Sequence, residues 1–275
     1  MSSFVSPEPT SQKPFLPDGA IGECFRCHQP VTSRGECGCK DGICLICADC
    51  RDVLPLLETG SVDLVLTDPP WIARKDKITR RSKGVAAVIE PSRGIGYGTI
   101  GEFDATVLAA SFALTQHDML VICGYKELGQ VIETLKPIRG VFIWHKPNGG
   151  ISVAYPSPLD VAYIVWGAHK SKLTGFQHWK SGVFSVPVPT AGCISTGERF
   201  TVCKNGPALH PSQGPVHLYH ELLRPTDGPV FDPYGGTGTT GRACKDLGRR
   251  CIMVEIEEKY CDIAARRLEQ GVLFI

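Results

Sequence analysis

The stretch Phe231–Gly241 reads FDPYGGTGTTG. It follows a short apolar run, GPVF, and opens a helix-like segment around Thr239–Leu247. Gly236, Gly238 and Gly241 have the spacing G-x-G-x-x-G. Glycines so placed permit positive φ and let a ligand approach the backbone closely. The next apolar run, CIMVEI, ends near Glu255. An acid at that strand end can accept from two ribose hydroxyls. A lone glycine pattern would also suit a tight helix-packing turn. Strand, glycine turn, helix and acid-tipped strand together point to a nucleoside cofactor. A Walker-type phosphate loop does not fit, because no Gly-Lys-Ser/Thr follows.

The position of this turn decides the chain order of the fold. A dinucleotide fold puts it after the first strand, with the rest of the sheet downstream. Here the chain ends at Ile275. That leaves room for one more strand, two helices and a tail. If the turn follows the first strand of a doubly wound sheet, the order is permuted and the remaining strands precede it. After the Glu255 strand and its helix, the next strand would be ICLICAD, ending at the acid Asp49. The one after it would be SVDLVLTD, ending in Leu66–Trp71, LTDPPW. All four strand ends would then line one edge, where open α/β sheets bind ligands.

The rest of the chain supports alternation. RDVLPLLE, ATVLAASFALT, KELGQVIETLK and GPVHLYHELLRP suit helices, the last with Pro215 near its start, where a missing amide costs least. DMLVICGY, VFIWHK and LDVAYIVWGA suit strands. Strands alternating with helices imply a mostly parallel sheet covered on both faces. Residues 72–100 are basic and Gly-rich with little periodicity and read as a long loop, and residues 169–208 read as irregular. The Pro/Ser-rich residues 1–20 read as a disordered lead-in. Residues 44–275 then form one catalytic domain, and residues 21–43 a separate Cys-rich element. There is no internal repeat.

The net charge of +1 says nothing about nucleic acid. Local charge says more. Arg74, Lys75, Lys77, Arg80, Arg81 and Lys83 crowd one segment with only Asp76 opposing. Such a run suits a solvated loop or a phosphate-contacting one. No run of about 18 apolar residues exists, and no basic-then-apolar leader is present. A soluble cytoplasmic protein without membrane association is expected.

Of 13 cysteines, seven lie between Cys24 and Cys50. Without an export signal, metal binding explains such a cluster better than disulfides. Cys24-x2-Cys27 and Cys37-x-Cys39 can close a tetrahedral zinc site. Cys44 and Cys47 form a rival pair, but they fall in the strand leading to Asp49. The element has few large apolar residues and needs such a staple to hold its shape. A structural role for the zinc is expected.

Together, the DPPW block, the later glycine block and their order resemble the β group of amino-methylating DNA methyltransferases. ADCRDVLPLLETGSVDLVLTDPPW, IWHKPN and HPSQGPVHLYHELLRP resemble further segments of that family. The likeness covers roughly Cys44 to Leu268. It implies a doubly wound, Rossmann-like α/β fold using S-adenosylmethionine (SAM), with the motif order circularly permuted. It also implies that Asp232, Pro233, Gly236, Gly238 and Thr239 shape the cofactor pocket and that Glu255 holds the ribose hydroxyls. Asp49 would accept from the adenine amine of SAM, and His210 would border its methionine end. One departure stands out: the family usually carries Lys-Pro where this chain has Gly214-Pro215.

The catalytic block implied is Asp68, Pro69, Pro70 and Trp71. An exocyclic amine on a base is a poor nucleophile because its lone pair is delocalised into the ring. A carboxylate and a backbone carbonyl, each accepting one N–H, favour the pyramidal amine and its developing positive charge. Asp68 and the carbonyl of Pro69 would be those acceptors. Trp71 offers a stacking face for a base flipped out of duplex DNA. Asp at the first position leans to adenine N6, because cytosine-N4 enzymes more often carry Ser there. Cytosine C5 chemistry needs a nucleophilic cysteine, usually after proline, and no Pro-Cys dipeptide occurs. The reading is therefore a restriction–modification-type DNA adenine methyltransferase. The alternatives are a cytosine-N4 enzyme, an RNA adenine methyltransferase or a zinc-dependent nucleic-acid-binding module without catalysis. The basic loop becomes a DNA-contacting flap, and residues 169–208, with GFQHWKSG, a target-recognition segment. A homodimer stays open.

Overall fold

The computed structural model describes residues 17–70, 78–82, 85–89, 103–147, 161–173, 179, 181–187 and 213–271. The Cys-rich element opens with strands β1 (Ala20–Glu23) and β2 (Pro30–Thr32), which pair antiparallel. The main domain then runs β3 (Ile43–Cys47), α1 (Cys50–Val53), a 3-10 turn at Leu54–Leu56, and β4 (Leu64–Thr67). After it come β5 (Ile78–Ser82), β6 (Val85–Ile89), α2 (Ala105–Leu114), β7 (Asp118–Cys123), α3 (Leu128–Thr134) and β8 (Ile138–His145). The chain continues with β9 (Val161–Ala168), β10 (Val183–Ser185), α4 (Val216–Leu223), β11 (Val230–Asp232), α5 (Thr239–Asp246), β12 (Cys251–Glu255) and α6 (Glu258–Glu269).

An eight-stranded sheet carries the domain, in the order β10-β8-β9-β7-β4-β11-β12-β3. The strands β3, β12, β11, β4 and β7 are mutually parallel, and β9 runs antiparallel between β7 and β8. The central strands are continuous apolar runs, as burial on both faces requires. Leu108, Phe112, Val131 and Leu135 of α2, α3 and the turn after α3 cover one face with Val65, Val121 and Phe231. Leu218, Leu222, Ala243, Ala264 and Leu268 of α4, α5 and α6 cover the other with Leu64, Leu120 and Met253. This is the doubly wound arrangement, and the strand order is the permuted one expected. Next to β11, β12 leads to β3 on one side and β4 stands on the other.

Three details differ from the sequence reading. Residues 72–100 contain the antiparallel hairpin β5–β6, so this segment is not wholly a loop. Its link is Lys83-Gly84, which lacks the Asn-Gly or Asp-Gly signal of a tight hairpin. Residues 169–208 contain β10, which joins the sheet edge in parallel with β8. Three residues are too few to show a period. The lead-in expected over residues 1–20 already yields a strand at Ala20, and its first 16 residues lie outside the described ones.

The tryptophan of GFQHWKSG is also reassigned. Trp179 is buried, makes edge-on contacts with Phe142, Trp166 and Phe184, and donates its indole N–H to the Glu221 carbonyl at 3.2 Å. It serves the core. Gln177, His178 and Lys180 lie outside the described residues.

Candidate active site at the carboxyl edge of the sheet

The parallel strands β3, β12, β11 and β4 bring Asp49, Glu255, Asp232 and Asp68 to one edge of the sheet. Between β11 and β4 the chain leaves in opposite directions, which makes the topological switch point where open sheets take ligands.

Asp232 ends β11 and is buried. Its carboxylate accepts from Thr67 Oγ1 at 2.8 Å, Thr240 Oγ1 at 2.5 Å and the Tyr234 amide at 3.0 Å. Burial raises its pKa, and these three hydrogen bonds oppose the rise. Thr67 is the residue before Asp68, so Asp232 ties the glycine turn to the strand end that leads into Asp68-Pro69-Pro70. Asp68 and Pro70 are half-buried, and Pro69 and Pro233 are buried. The charge of Asp68 reaches Cys123 at the end of β7: burial pushes that thiol up to about 12, with Glu127 and Asp68 adding to it. Burial also raises Tyr219 on α4, with Asp68 and Asp232 adding. Asp68 therefore sits among β7, α4 and the glycine turn.

The glycine turn meets its steric requirements. Gly236 and Gly238 have φ of 50° and 80°. A Cβ on Gly238 would lie 2.9 Å from Ala264 Cβ, and one on Gly241 would lie 2.4 Å from Met253 Cε. These two glycines let α5 pack against α6 and β12. Glu255 accepts from the Gly236 amide at 2.8 Å and the Glu257 amide at 2.9 Å. Burial raises its pKa despite both bonds. Acid and turn are thus one rigid unit, and each carboxylate oxygen keeps further accepting capacity. Thr239 starts α5, with its hydroxyl 3.5 Å from the Gly214 carbonyl.

Asp49 stands just past the end of β3 and caps α1, accepting from the Arg51 amide at 2.9 Å. The Arg51 guanidinium holds its carboxyl below the usual range. The Ala48 amide donates to the Glu255 carbonyl at 3.0 Å, which sets the two acid-bearing strand ends side by side. Trp71 and His210 lie outside the described residues.

Sequence reasoning passed over several contributors. Thr67 and Thr240 fasten Asp232. Buried Arg267 donates to the Thr237 carbonyl at 2.6 Å and to the hydroxyls of Thr237 and Thr239 at 3.0 and 3.3 Å. A threonine closing an apolar run and an arginine on a helix carry no local signature. Gly214 has a steric reason as well. A Cβ there would meet the Tyr219 ring at 2.7 Å, so Tyr219 fills the room a side chain would need.

The Cys-rich element gathers Cys24, Cys27, Cys37 and Cys39 with all four sulfurs within 4.8 Å of one another. Cys24 Sγ and Cys39 Sγ are 3.7 Å apart. Hydrogen bonding from Cys37 and then Cys44 pulls the Cys24 thiol far below its usual range, and the same contacts push Cys37 up. The rival pair separates. Cys44 lies 2.6 Å from Cys37 Sγ and donates to the Gly35 carbonyl, whereas Cys47 hydrogen-bonds with Cys261 of α6. A cleft of ≈ 670 Å³ opens between this element and the α5–α6 side, lined by Arg26, Cys39, Asp41, Lys245 and Asp262 among others. Its lining does not include Asp68 or the glycine turn.

The sheet order, the glycine turn and the acid-tipped strands define an α/β protein of the nucleoside-cofactor methyltransferase class. A family model described as DNA methylase, of the N6/N4 methyltransferase type, matches residues 62–266, and the chain belongs to that family of DNA amino-methyltransferases. It is 38% identical over 246 residues to the Type II methyltransferase M.HinfI of Haemophilus influenzae, covering 81% of this chain and 67% of that protein. Among solved structures it resembles the PvuII cytosine-N4-specific DNA methyltransferase, with a TM-score of 0.56 and 16% identity over 85% of this chain and 88% of that one. It also resembles the M1.HpyAVI–SAM complex, with a TM-score of 0.51 and 19% identity over 83% of this chain and 100% of that one. No helix among the described residues is long and apolar enough to cross a membrane.

Proposed function

We propose that this chain transfers the methyl group of SAM to the N6 amine of adenine in DNA, on a base flipped out of the duplex. The observation that carries the reading is the hydrogen-bonded bridge Thr67–Asp232–Thr240. It fixes the strand end bearing Asp68-Pro69 against the glycine turn, whose Gly236 amide is held by Glu255 at the end of β12. Cofactor and base sites so joined hold a methyl donor and an amine in fixed relation, the positional requirement of a direct transfer.

In this reading Glu255 accepts from the ribose hydroxyls and Asp49 from the adenine amine of SAM. Pro233, Gly236, Gly238 and Thr239 line the approach, and His210 borders the methionine end. Asp68 and the Pro69 carbonyl accept the two N–H groups of the target amine, Pro70 stiffens the turn and Trp71 stacks on the base. The methyl carbon leaves sulfur as it bonds nitrogen, and the amine then releases one proton. The basic residues 74–83 contact phosphate, and residues 169–208 contribute to target choice with Trp179 as their anchor in the core. The four-thiol site holds a structural zinc ion. The bound SAM in the M1.HpyAVI structure supports the cofactor.

A radiolabelled methyl assay on duplex DNA, single-stranded DNA and RNA, followed by nucleoside analysis, tests the proposal. N6-methyladenine in duplex DNA is expected. The cytosine-N4 reading has the PvuII enzyme in its favour, and N4-methylcytosine as the product would replace the adenine assignment with it. Asp68→Ala should lower turnover by about 100-fold or more while SAM still binds. Full activity in that variant would refute the role given to Asp68.

A further inference from the structure

The strand β3 is the outermost strand of the eight-stranded sheet. An outer strand presents a row of unpaired amides and carbonyls that a stable fold must cover. Among the described residues, the Cys-rich element does the covering. Cys24 forms an antiparallel bridge with Ile46, the Phe25 amide donates to the Leu45 carbonyl at 2.7 Å, and Arg26 Nη1 donates to the Ile43 carbonyl at 2.8 Å. The element also straddles both faces. Ile21, Cys24 and Val31 join the core under α2 and α3, while Phe25 packs against the core under α5 and α6. The residues touching the edge, 24–26, lie inside the first thiol turn, where the His28 amide donates to the Cys24 carbonyl at 2.8 Å.

The element has little apolar packing of its own. Its buried apolar residues other than cysteine are Ile21 and Val31, too few for a core of its own. A tetrahedral zinc–thiolate site has Zn–S bonds of about 2.3 Å, which puts its sulfurs about 3.8 Å apart. The 3.7 Å between Cys24 and Cys39 matches one edge of that tetrahedron.

What β3 carries makes this fastening consequential. Its inner side pairs with β12 over the full run from Ile43–Cys251 to Cys47–Glu255. Beyond its end the Ala48 amide holds the Glu255 carbonyl, and Asp49 follows. We propose that Cys24, Cys27, Cys37 and Cys39 bind one zinc ion that fastens the Cys-rich element along the open edge of β3, and that this fastening positions Asp49 and Glu255 for the cofactor. The effect on the cofactor rests on the SAM reading above; the metal and the edge do not.

The test compares three forms of the full chain: as purified, stripped with a chelator under reducing conditions, and stripped then reloaded with zinc. Metal analysis, amide hydrogen exchange and SAM titration calorimetry are read on each. One zinc per chain is expected as purified. Stripping should keep the α/β circular dichroism signal, speed exchange across residues 43–47 and weaken SAM binding by about tenfold, and zinc should reverse both changes. Arg26→Gln leaves every thiol in place and removes the clasp to Ile43 together with the two-point ion pair to Asp41, so it should keep its zinc yet exchange faster over the same residues. This variant reads the clasp even if stripped protein unfolds. Absence of zinc, unchanged exchange at residues 43–47 in both forms, or SAM binding by folded stripped protein within twofold of the zinc form would overturn the proposal. If the zinc form fails to bind SAM, the cofactor reading falls, and the exchange data still decide whether the metal fastens the edge.

Discussion

Asp232 ties the end of β4 to the start of α5 through one side chain. Its three accepted hydrogen bonds use the carboxylate for internal fastening. Burial raises its pKa above the ordinary 3.8. Between the unfolded and folded values the native state holds a proton that the unfolded chain has released. Stability therefore falls as pH rises through that window and is level above it. Asp232→Asn should abolish this fall and stay within about 1 kcal/mol of the parent, because an amide still engages both hydroxyls, which can rotate to suit it. Asp232→Ala should lose about 1–3 kcal/mol by stranding the Tyr234 amide and the two hydroxyls. Urea melts at several pH values check both. Glu255 differs in the proposed SAM site, where its charge would serve the ligand. Its pKa is also raised by burial, so SAM affinity should fall as pH drops through that raised value. Glu255→Gln should bind SAM more weakly at neutral pH and show no such fall. Calorimetric titrations from neutral to mildly acidic pH measure this, and a parallel decline in the variant would assign the effect to another group.

At the scale of elements, legibility followed signal length. Strands β3, β4, β7, β9, β11 and β12 were readable because each is an apolar run bounded by turn or acid residues. The permuted order was legible because the strands ending at Asp49 and Asp68 precede the glycine turn in the chain. β10 and the β5–β6 hairpin escaped: the first is too short for a period, and the second has no recognised turn pair at Lys83-Gly84. The thiol set was legible from spacing, whereas the Thr67–Asp232 link spans 165 residues and has no local trace. The glycine turn gives the sharpest element-scale prediction. Gly238 combines a φ of 80° with a Cβ position 2.9 Å from Ala264 Cβ, so it fails a side chain on conformation and on space. Gly238→Ala should lose at least about 1–2 kcal/mol from the left-handed backbone alone. It should also push α5 from α6 and weaken SAM binding. Thermal melting and SAM titration of the variant provide the check, and a melting temperature equal to the parent's would show that the turn can relax.

For the whole molecule, the permuted order makes the two ends of the chain mutually dependent. β11 and β12, from the last part of the chain, stand between β4 and β3, from the first part. Without them, β3 and β4 would be separated by three inter-strand spacings, about 14 Å, with no hydrogen bonds across the gap. The buried faces of Leu64, Val65 and Leu66 would also lose Phe231, Met253 and the helices α4–α6 above them. A fragment of residues 1–187 should therefore lack a cooperative unfolding transition, although it contains β3 and β4 through β10. A fragment of residues 188–275 holds, among its described residues, only β11, β12 and three helices, and should be unfolded alone, since two short strands and their helices bury too little. Mixed or co-expressed, the two should restore the sheet, because the missing strands fit only between β4 and β3. Circular dichroism melts of each fragment and of the mixture test this, with SAM titration as a second reading on the reassembled site. A cooperative melt of the longer fragment alone would mean that its five remaining sheet strands beyond β3, namely β4 and β7–β10, form a self-sufficient core.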